Sequence, residues 1–433
     1  MKSLLSARGS RCCFALSIAF ALAPGQTAFA APADAAVQAA GPARRATITL
    51  EDAIARALAA SPQGAANTAR LDTLAAARAA ADTRPAASID VQAENFGVGG
   101  RDLNRQIQVT GTYNQRLERG GKRAARIGTA EADIGIAQAE ALARGLDIAT
   151  TVQRLYVEVQ AAEAMIEIAR ERAAIAGQLS REVGRRVAEA RDPLFAGTRA
   201  RTQLAEARID LELAERARDA ALSRLGSLWG GSLAGMTIRQ GSFLGVSESP
   251  AGQGPAAVDL AIYEARRRRA TAELALQQAN ARTDPTVSAG PRVIGTGDVA
   301  VVAGFSLPLS NRGLNRANIA RAEAEARQVE ADLAVETFQR RQQIALAAEK
   351  VTATAHEVDA IRAQVVPGAQ RTLAEVRAGY NRGGFTFMDV SMAQTALHEA
   401  RVRMVRAATR HHESRVELDR LTGRFAPLVQ DVR

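Results

Sequence analysis

The feature that most constrains the fold is a long stretch, from Leu117 to Asp192, without a proline or another helix-stopping signal. Its apolar and small residues recur at alternating spacings of four and three, as in a coiled-coil seam. The seam positions are Ile148, Val152, Leu155, Val159, Ala162, Ile166, Ala169, Ala173 and Ala176. A helix of roughly 70 residues reaches about 100 Å. A compact enzyme rarely needs such a length.

The second half of the chain repeats this organisation. An offset of 192 residues aligns the strand and helix starts of the two halves: Val109 with Val301, Leu117 with Leu309, Gly121 with Gly313, Ala125 with Ala317 and Ile127 with Ile319. A second seam, again at alternating spacings of three and four, contains Ile344, Ala347, Val351, Thr354, Val358, Ile361 and Val365. The helices reverse near Asp192-Pro193 and near Gly383-Gly384. We therefore expect a duplicated helix–hairpin–helix chain.

Each half also contains two short segments that alternate apolar and polar residues, for example Ile89, Val91 and Ala93 against polar neighbours. The expected strands are at about 87–97, 104–114, 286–294 and 299–309. The third is weakened by Gly290 and Pro291. This alternation is typical of transmembrane barrel strands, and a soluble hairpin fits it equally well. Four strands cannot close a barrel, since about eight are needed, so a barrel requires several copies of the chain.

The first 30 residues predict a secretory signal peptide: three cations, an apolar run at 12–23 and the small-residue signal Ala28-Phe29-Ala30. The run is too short for a membrane anchor. Both cysteines, Cys12 and Cys13, begin this run rather than follow it, so we expect no lipid anchor. Cleavage would lower the formal net charge from +10 to +7. Export makes nucleic acid a poor candidate partner for this basic chain.

No motif indicates an enzyme. After the leader there is no cysteine, glycine-rich phosphate loop or HExxH, so we expect no catalytic residues, cofactor or metal site. The adjacent pair His411 and His412 would point about 100° apart on a helix, which makes them poor co-ligands. We expect the histidines to lie on the surface. On the helices alone, a soluble periplasmic coiled-coil scaffold remains an alternative.

The organisation resembles the TolC-like outer-membrane factors. Segments similar to the outer-membrane component of cobalt–zinc–cadmium efflux systems are Glu94-Asn95-Phe96-Gly97, residues 115–126, Leu225-Gly226-Ser227-Leu228-Trp229-Gly230, Ser306-Leu307-Pro308-Leu309 and Asn311-Arg312-Gly313. The resemblance implies a mainly α chain with a small β part. As a homotrimer it would form a 12-stranded transmembrane β-barrel on a long periplasmic α-helical coiled-coil barrel.

The family's periplasmic tip pattern, Tyr-x-x-Gly-x-Arg-Ser-x-x-Asp-x-Leu-x-Ala, is matched over 380–393 by Tyr380, Gly383, Asp389 and Ala393. Phe385 stands in place of the gating arginine, and Met392 where some members have a second aspartate. The implied tip candidates are Tyr380, Arg382, Gly383, Gly384, Asp389, Arg191 and Asp192. Asp389 either stabilises its helix start or joins an acidic ring of three copies.

The expected organisation divides the chain into six segments: a signal peptide at 1–30, a flexible segment at 31–46, a first repeat at 47–230, a linker at 231–256, a second repeat at 257–425 and a tail at 426–433. The resemblance implies a passive, gated outer-membrane duct of a tripartite efflux pump. Its partners would be a periplasmic adaptor, an inner-membrane proton-driven pump and outer-membrane lipid, and its cargo divalent heavy-metal cations. A drug channel or a type I protein-secretion channel remains an alternative.

Overall fold

A computed structural model describes residues 47–95, 107–231, 233, 237–238, 243–246 and 257–431, so the expected leader and the 31–46 segment lie outside the described residues. The elements are β1 (Thr47–Ile48), α1 (Leu50–Ala60), α2 (Pro62–Ala81), β2 (Ser88–Glu94), β3 (Gln108–Arg116), α3 (Lys122–Ala188), α4 (Leu194–Ser227), β4 (Thr237–Ile238), α5 (Ala257–Asn280), β5 (Thr286–Ile294), β6 (Val299–Ser306), α6 (Arg312–Ala360), α7 (Val366–Asn381), α8 (Phe387–Thr422) and α9 (Ala426–Asp431). A π-helical turn, Ile361–Val365, joins α6 to α7.

Helix α3 is the spine of the helical part, with 67 residues and a length of about 100 Å. It packs against α4, α5 and α8. All nine positions of the expected first seam are buried or half-buried. The small seam residues let the neighbouring backbones approach closely, which explains why so long a helix needs few aromatic side chains.

The second seam departs from the expectation at its end. Val365 was expected on the seam but is 39% exposed, and Val366 is buried in its place. The cause is the π-helical turn over Ile361–Val365, which contains one more residue than an α-turn and so rotates the following residues around the axis. The assignment of Val365 to the seam was wrong, and α7 continues the packing one residue later.

The four longer strands form one antiparallel sheet in the order β2-β3-β5-β6, so the β3–β5 pairing joins the two halves of the chain. Strand β5 has the expected bounds, whereas β6 ends at Ser306, before the expected limit of 309. Pro308 lacks the N–H that would continue the ladder. Strand β3 extends to Arg116, past the expected 114. Residues 96–106, where its start was expected, lie outside the described residues.

The register places twelve apolar residues, from all four strands, on one face of the sheet. They are Ile89, Val91, Ala93, Val109, Tyr113, Val287, Ala289, Val293, Val299, Val301, Ala303 and Phe305. Val301 is 84% exposed, and the other large members are between 39% and 75% exposed. The opposite face carries the polar side chains, with Ile294, Ala300 and Val302 among them, and Asn114 Nδ2 donates there to Asp90 Oδ2 at 2.6 Å. No described element covers the apolar face.

Strand β5 tolerates Pro291 because the regular residue pairing between β3 and β5 is interrupted there. Pro291 pairs with Val301 on one side, and the pairing with β3 skips Gly111 and Thr112. At this point a Cβ on Gly290 would lie 1.8 Å from the carbonyl oxygen of Gly111. Only glycine allows the two backbones to approach this closely.

The first and last described elements, β1 and α9, pack onto the middle of α3. Strand β1 pairs in parallel with β4 from the expected linker, and Tyr156 Oη donates to the carbonyl oxygen of Ile48 at 3.0 Å. The expected C-terminal tail contains α9, whose Val429 is buried against Gly145. Among the helices described, none combines the length and apolar character needed to cross a bilayer.

We predict that Gly290→Ala weakens the β3–β5 pairing by about 1–3 kcal/mol, because the added methyl group overlaps the Gly111 carbonyl oxygen. Thermal unfolding in detergent, followed by circular dichroism, measures the loss. Gly111→Ala is the matched control, since its Cβ would have no atom within 4 Å. Equal stability of the two variants would contradict the close approach at Gly290.

Candidate functional site

The two helix reversals of the chain lie side by side and form the candidate site. The first links α3 to α4 through Asp192-Pro193, and Pro193 caps the start of α4. The second links α7 to α8 through Gly383-Gly384, and Gly383 takes a positive φ of 82°. Glycine adopts this left-handed conformation without strain, which permits the tight reversal.

A hydrogen-bonded group of three side chains joins the two reversals. Tyr380 Oη donates to Asp192 Oδ2 at 2.5 Å, and Arg186 Nε donates to the same oxygen at 3.0 Å. The Arg186 guanidinium carbon also lies 4.4 Å from the centre of the Tyr380 ring, within cation–π distance. Tyr380 itself is buried. One carboxylate from the first reversal is thus held by a phenol from the second and a guanidinium from α3.

The pKa shifts of Asp192 and Arg186 both favour the charged form of the side chain. Burial alone would raise the pKa of the Asp192 carboxyl, but the hydrogen bonds from Tyr380 and Arg186 hold it below its usual range. Burial and the neighbouring carboxylate raise the pKa of Tyr380, so its phenol stays protonated and continues to donate. The bond to Asp192 raises the pKa of Arg186.

Two further contacts hold the reversals in place. Arg377 Nη2 of α7 pairs with Glu182 Oε1 of α3 at 2.6 Å. The ring of Phe385 lies directly on Gly379. A Cβ added at Gly379 would be 2.1 Å from the Cδ2 atom of Phe385. Phe385, which occupies the position of the family's gating arginine, therefore packs within its own turn.

Asp389 lies at the start of α8 in a capping box. The backbone N–H of Thr386 donates to Asp389 Oδ2 at 2.8 Å, and the Asp389 N–H donates to Thr386 Oγ1 at 3.3 Å. This geometry is the helix-start arrangement expected as one of the two alternatives. The hydrogen bonds from Thr386 lower the pKa of Asp389, so the carboxyl is ionised at neutral pH.

The structure brings together only part of the predicted set. Tyr380 and Asp192 meet, while Arg191 pairs with nearby Glu189 at 3.3 Å. Arg382 is exposed. Sequence reasoning missed Arg186, which is separated from its partner Tyr380 by almost half the chain. The sequence offered one signal for Arg186: it lies shortly before Asp192, near the end of the helix that was expected to reverse there.

Not every histidine lies in its expected surface position. His411 is 1% exposed and lies between α6 and α8, with Nδ1 3.3 Å from Thr354 Oγ1. His398 and His412 are half-buried, and only His356 is exposed. The surface expectation is confirmed for His356 and was wrong for His411, which lies on the packed face of α8. Across the described ranges, no cluster of three His, Cys, Asp or Glu residues could hold a metal ion.

A family model described as outer membrane efflux protein matches residues 33–231 and 259–424. The chain belongs to this family. Membership in the outer membrane efflux protein family confirms the resemblance drawn from the hairpins, helices and tip pattern. The family consists of outer-membrane channels with a periplasmic extension, which agrees with the mainly helical chain and its small sheet.

Known relatives of this outer membrane efflux protein agree with that assignment. The cobalt-zinc-cadmium resistance protein CzcC of Cupriavidus metallidurans is 26% identical over 325 residues, which cover 73% of this chain and 77% of that protein. The fold is similar to VceC of Vibrio cholerae, with a TM-score of 0.65 and 20% identity over 86% of this chain and 96% of that one. CusC gives a TM-score of 0.66 at 16% identity, covering 86% and 91%.

We predict that Arg186→Gln destabilises the contact between the reversals by roughly 1–3 kcal/mol, because it leaves the half-buried Asp192 carboxylate with one partner fewer. The native contact contributes stability above the ordinary aspartate pKa and loses it as the pH falls through the lowered pKa. The free energy of unfolding, measured from neutral pH down to pH about 3, should therefore fall less in the variant than in the wild type.

The matched control is Arg191→Gln, which removes an equally charged but exposed side chain from the same turn. We expect it to change stability by less than about 0.5 kcal/mol. If both variants behave alike, the carboxylate group does not connect the reversals.

Proposed function

We propose that the chain is the outer-membrane channel of a tripartite efflux pump and acts as a homotrimer. The single observation that carries this proposal is the continuous apolar face of the sheet, which no described element covers. Strands β2 and β6 are the free edges of that sheet. Three copies that pair β6 of one with β2 of the next would form a closed barrel of 12 strands, with its apolar face in lipid and its polar face toward water.

The helical part supports the same assembly. Exposed apolar residues also lie on α4 and α6: Ile209, Leu213, Val335, Phe338 and Leu346. Contacts between copies would bury them and complete a coiled-coil barrel below the membrane. The rival soluble scaffold leaves the apolar face of the sheet in water. An uncovered apolar surface of that size is unfavourable for a soluble protein.

The two helix reversals follow the ends of α3 and α7, and the helical segments that reach them begin next to the sheet, after β3 and β6. We propose that they dock with a periplasmic adaptor, which links this channel to an inner-membrane proton-driven pump. Arg191 and Arg382 are exposed there and are able to meet adaptor carboxylates. The channel itself needs no cofactor and catalyses no reaction, because the pump supplies the energy.

We propose divalent heavy-metal cations as the cargo, on the basis of the similarity to a cobalt-zinc-cadmium resistance protein. With no metal cluster in the described residues, each ion would pass as a solvated species. Drug export and type I protein secretion are the alternatives, since the inner-membrane partner determines the cargo.

The contact between the reversals suggests how the duct is held closed. Phe385 replaces the family's gating arginine, and Arg186 supplies the positive charge to Asp192 from α3 instead. Tyr380 adds the second bond from the other reversal. Opening would require these bonds to separate, and we therefore propose that the gate lies in the predicted tip region.

The experiment that tests this function is deletion of the gene in a host without another channel of the family. We expect lower tolerance of zinc, cobalt and cadmium and unchanged tolerance of drugs, with the wild-type gene restoring growth. Loss of drug tolerance alone would contradict the cargo. Recovery of the mature protein in the soluble periplasm would contradict the channel.

The acidic-ring hypothesis for Asp389 predicts that Asp389→Asn lowers the cation selectivity of the purified channel in planar bilayers. Asparagine keeps an oxygen that accepts from Thr386 but removes the charge. The matched control is Asp52→Asn, which alters the similar capping box of α1 with Thr49. Unchanged selectivity in Asp389→Asn would leave Asp389 with its capping role only.

A further inference from the structure

The sheet joins the helices through four short segments that lie at one level of the molecule. The strand ends are in register there, since Arg116 pairs with Thr286 and Thr286 with Ser306. We call this level the basic belt and define it as residues 82–84, 116–126, 282–285 and 309–316.

Hydrogen bonds tie the segments of the belt together. The N–H of Leu117 donates to the carbonyl oxygen of Pro285 at 2.9 Å. Arg126 Nη2 donates to the carbonyl oxygen of Thr83 at 3.1 Å. Asn315 Nδ2 donates to the carbonyl oxygen of Ala281, the residue before Arg282, at 3.4 Å. The belt is therefore a connected layer rather than four separate loops.

The acidic groups of the belt are already neutralised. Asp284 is buried, and its Oδ2 lies 2.8 Å from Lys122 Nζ and 2.9 Å from Arg116 Nη2. Glu118 pairs with Arg126. Asp82 Oδ1 lies 2.7 Å from Arg123 Nη2. These ion pairs use every carboxylate of the belt.

Five arginines of the belt have no ion pair with any described residue, and all are exposed: Arg84, Arg119, Arg282, Arg312 and Arg316. The opposite end of the β5–β6 hairpin is different. Its turn, Gly295-Thr296-Gly297-Asp298, contains one carboxylate and no cation. The β5–β6 turn thus lacks the unpaired arginines that the belt contains.

Exposed leucines lie among these cations. Leu117, Leu307 and Leu309 follow β3 and β6 at the alternate positions that continue the apolar face, and they are 44%, 46% and 93% exposed. Leu314, at the start of α6, is 57% exposed. Apolar side chains beside long basic ones are typical of the boundary between hydrocarbon and lipid head groups, where arginine extends its charge toward water.

We propose that the basic belt binds anionic phospholipid head groups in the leaflet next to the helices. This inference rests on the proposed function, because it requires the sheet to lie in a bilayer. A guanidinium binds phosphate oxygens in a bidentate manner, and the unpaired arginines have no competing carboxylate. The attraction is electrostatic, so salt weakens it.

The test compares lipids retained by the channel after extraction from vesicles of phosphatidylglycerol and phosphatidylcholine in equal amounts. We expect wild type to retain excess phosphatidylglycerol at low salt and less at high salt. The combined variant Arg119→Gln, Arg282→Gln, Arg312→Gln and Arg316→Gln should lose this enrichment by about tenfold or more, since each surface cation contributes roughly fivefold.

The matched control removes four exposed arginines that lie on the long helices, away from the belt and without an ion pair in the described structure. It combines Arg199→Gln, Arg208→Gln, Arg371→Gln and Arg403→Gln. We expect this control to retain phosphatidylglycerol as wild type does.

Conductance of the same proteins in phosphatidylcholine membranes separates the two proposals. A belt variant that conducts but still enriches phosphatidylglycerol like wild type overturns the belt proposal, and so does a conducting wild type without enrichment. A wild type that forms no channel, in phosphatidylcholine membranes or in membranes that also contain phosphatidylglycerol, contradicts the proposed function instead.

Discussion

The continuous apolar face of the four-stranded sheet is the constraint on which the rest of the structure depends. Antiparallel pairing brings apolar residues from all four strands to that face, and the chain has no described element to cover it. Such a surface is stable only against lipid or another protein. Since four strands cannot close on themselves, a closed barrel requires further copies of the chain. In the proposed assembly, the contact with lipid and the oligomer both follow from the need to cover this one surface.

Ion pairs at the junction between the sheet and the helices connect the two halves of the chain. Asp284 precedes β5 in the second half, whereas Arg116 and Lys122 belong to the first half. Burial would raise the pKa of Asp284, but the bonds from Lys122 and from the Arg119 backbone hold it below the usual range. A buried carboxylate with so many donors fixes the two halves relative to each other. Removing it would leave cations beside an apolar surface without their partner.

At the other end, a second carboxylate performs a similar connecting role. Asp192 holds the two helix reversals together through Arg186 and Tyr380. The surroundings of the two carboxylates differ: Asp284 is buried among three belt groups, whereas Asp192 bonds to Tyr380 at the edge of a hydrophobic cluster that includes Phe387 and Val390. In the proposed gate, opening would separate the Asp192 bonds at the edge of that cluster.

The sequence allowed the strands and the α3 seam to be predicted because both depend on local periodicity. A period of two assigned Val301 and Phe305 to the exposed apolar face, and heptad spacing assigned Val152 to the buried seam. Val365 could not be placed, since a π-helical turn depends on packing rather than on spacing.

Contacts between distant segments were also beyond the sequence. The pairing of Arg186 with the turn beside Tyr380 requires knowing that two reversals almost 200 residues apart lie together. The burial of His411 has the same origin, because only the packing of α8 against α6 determines which face of the helix is covered. The family's tip pattern supplied Tyr380 and the helix reversal supplied Asp192, but Arg186 lies outside both.

The most direct test of the account is the accessibility of adjacent positions on β6 to water. Cys12 and Cys13 are the only cysteines and lie in the expected leader, so Val301→Cys and Ala300→Cys each introduce one thiol. In outer membranes, a membrane-impermeant maleimide should label Cys at 300, on the polar face, and not at 301, on the apolar face. Equal labelling of the two would contradict a sheet with one face in lipid.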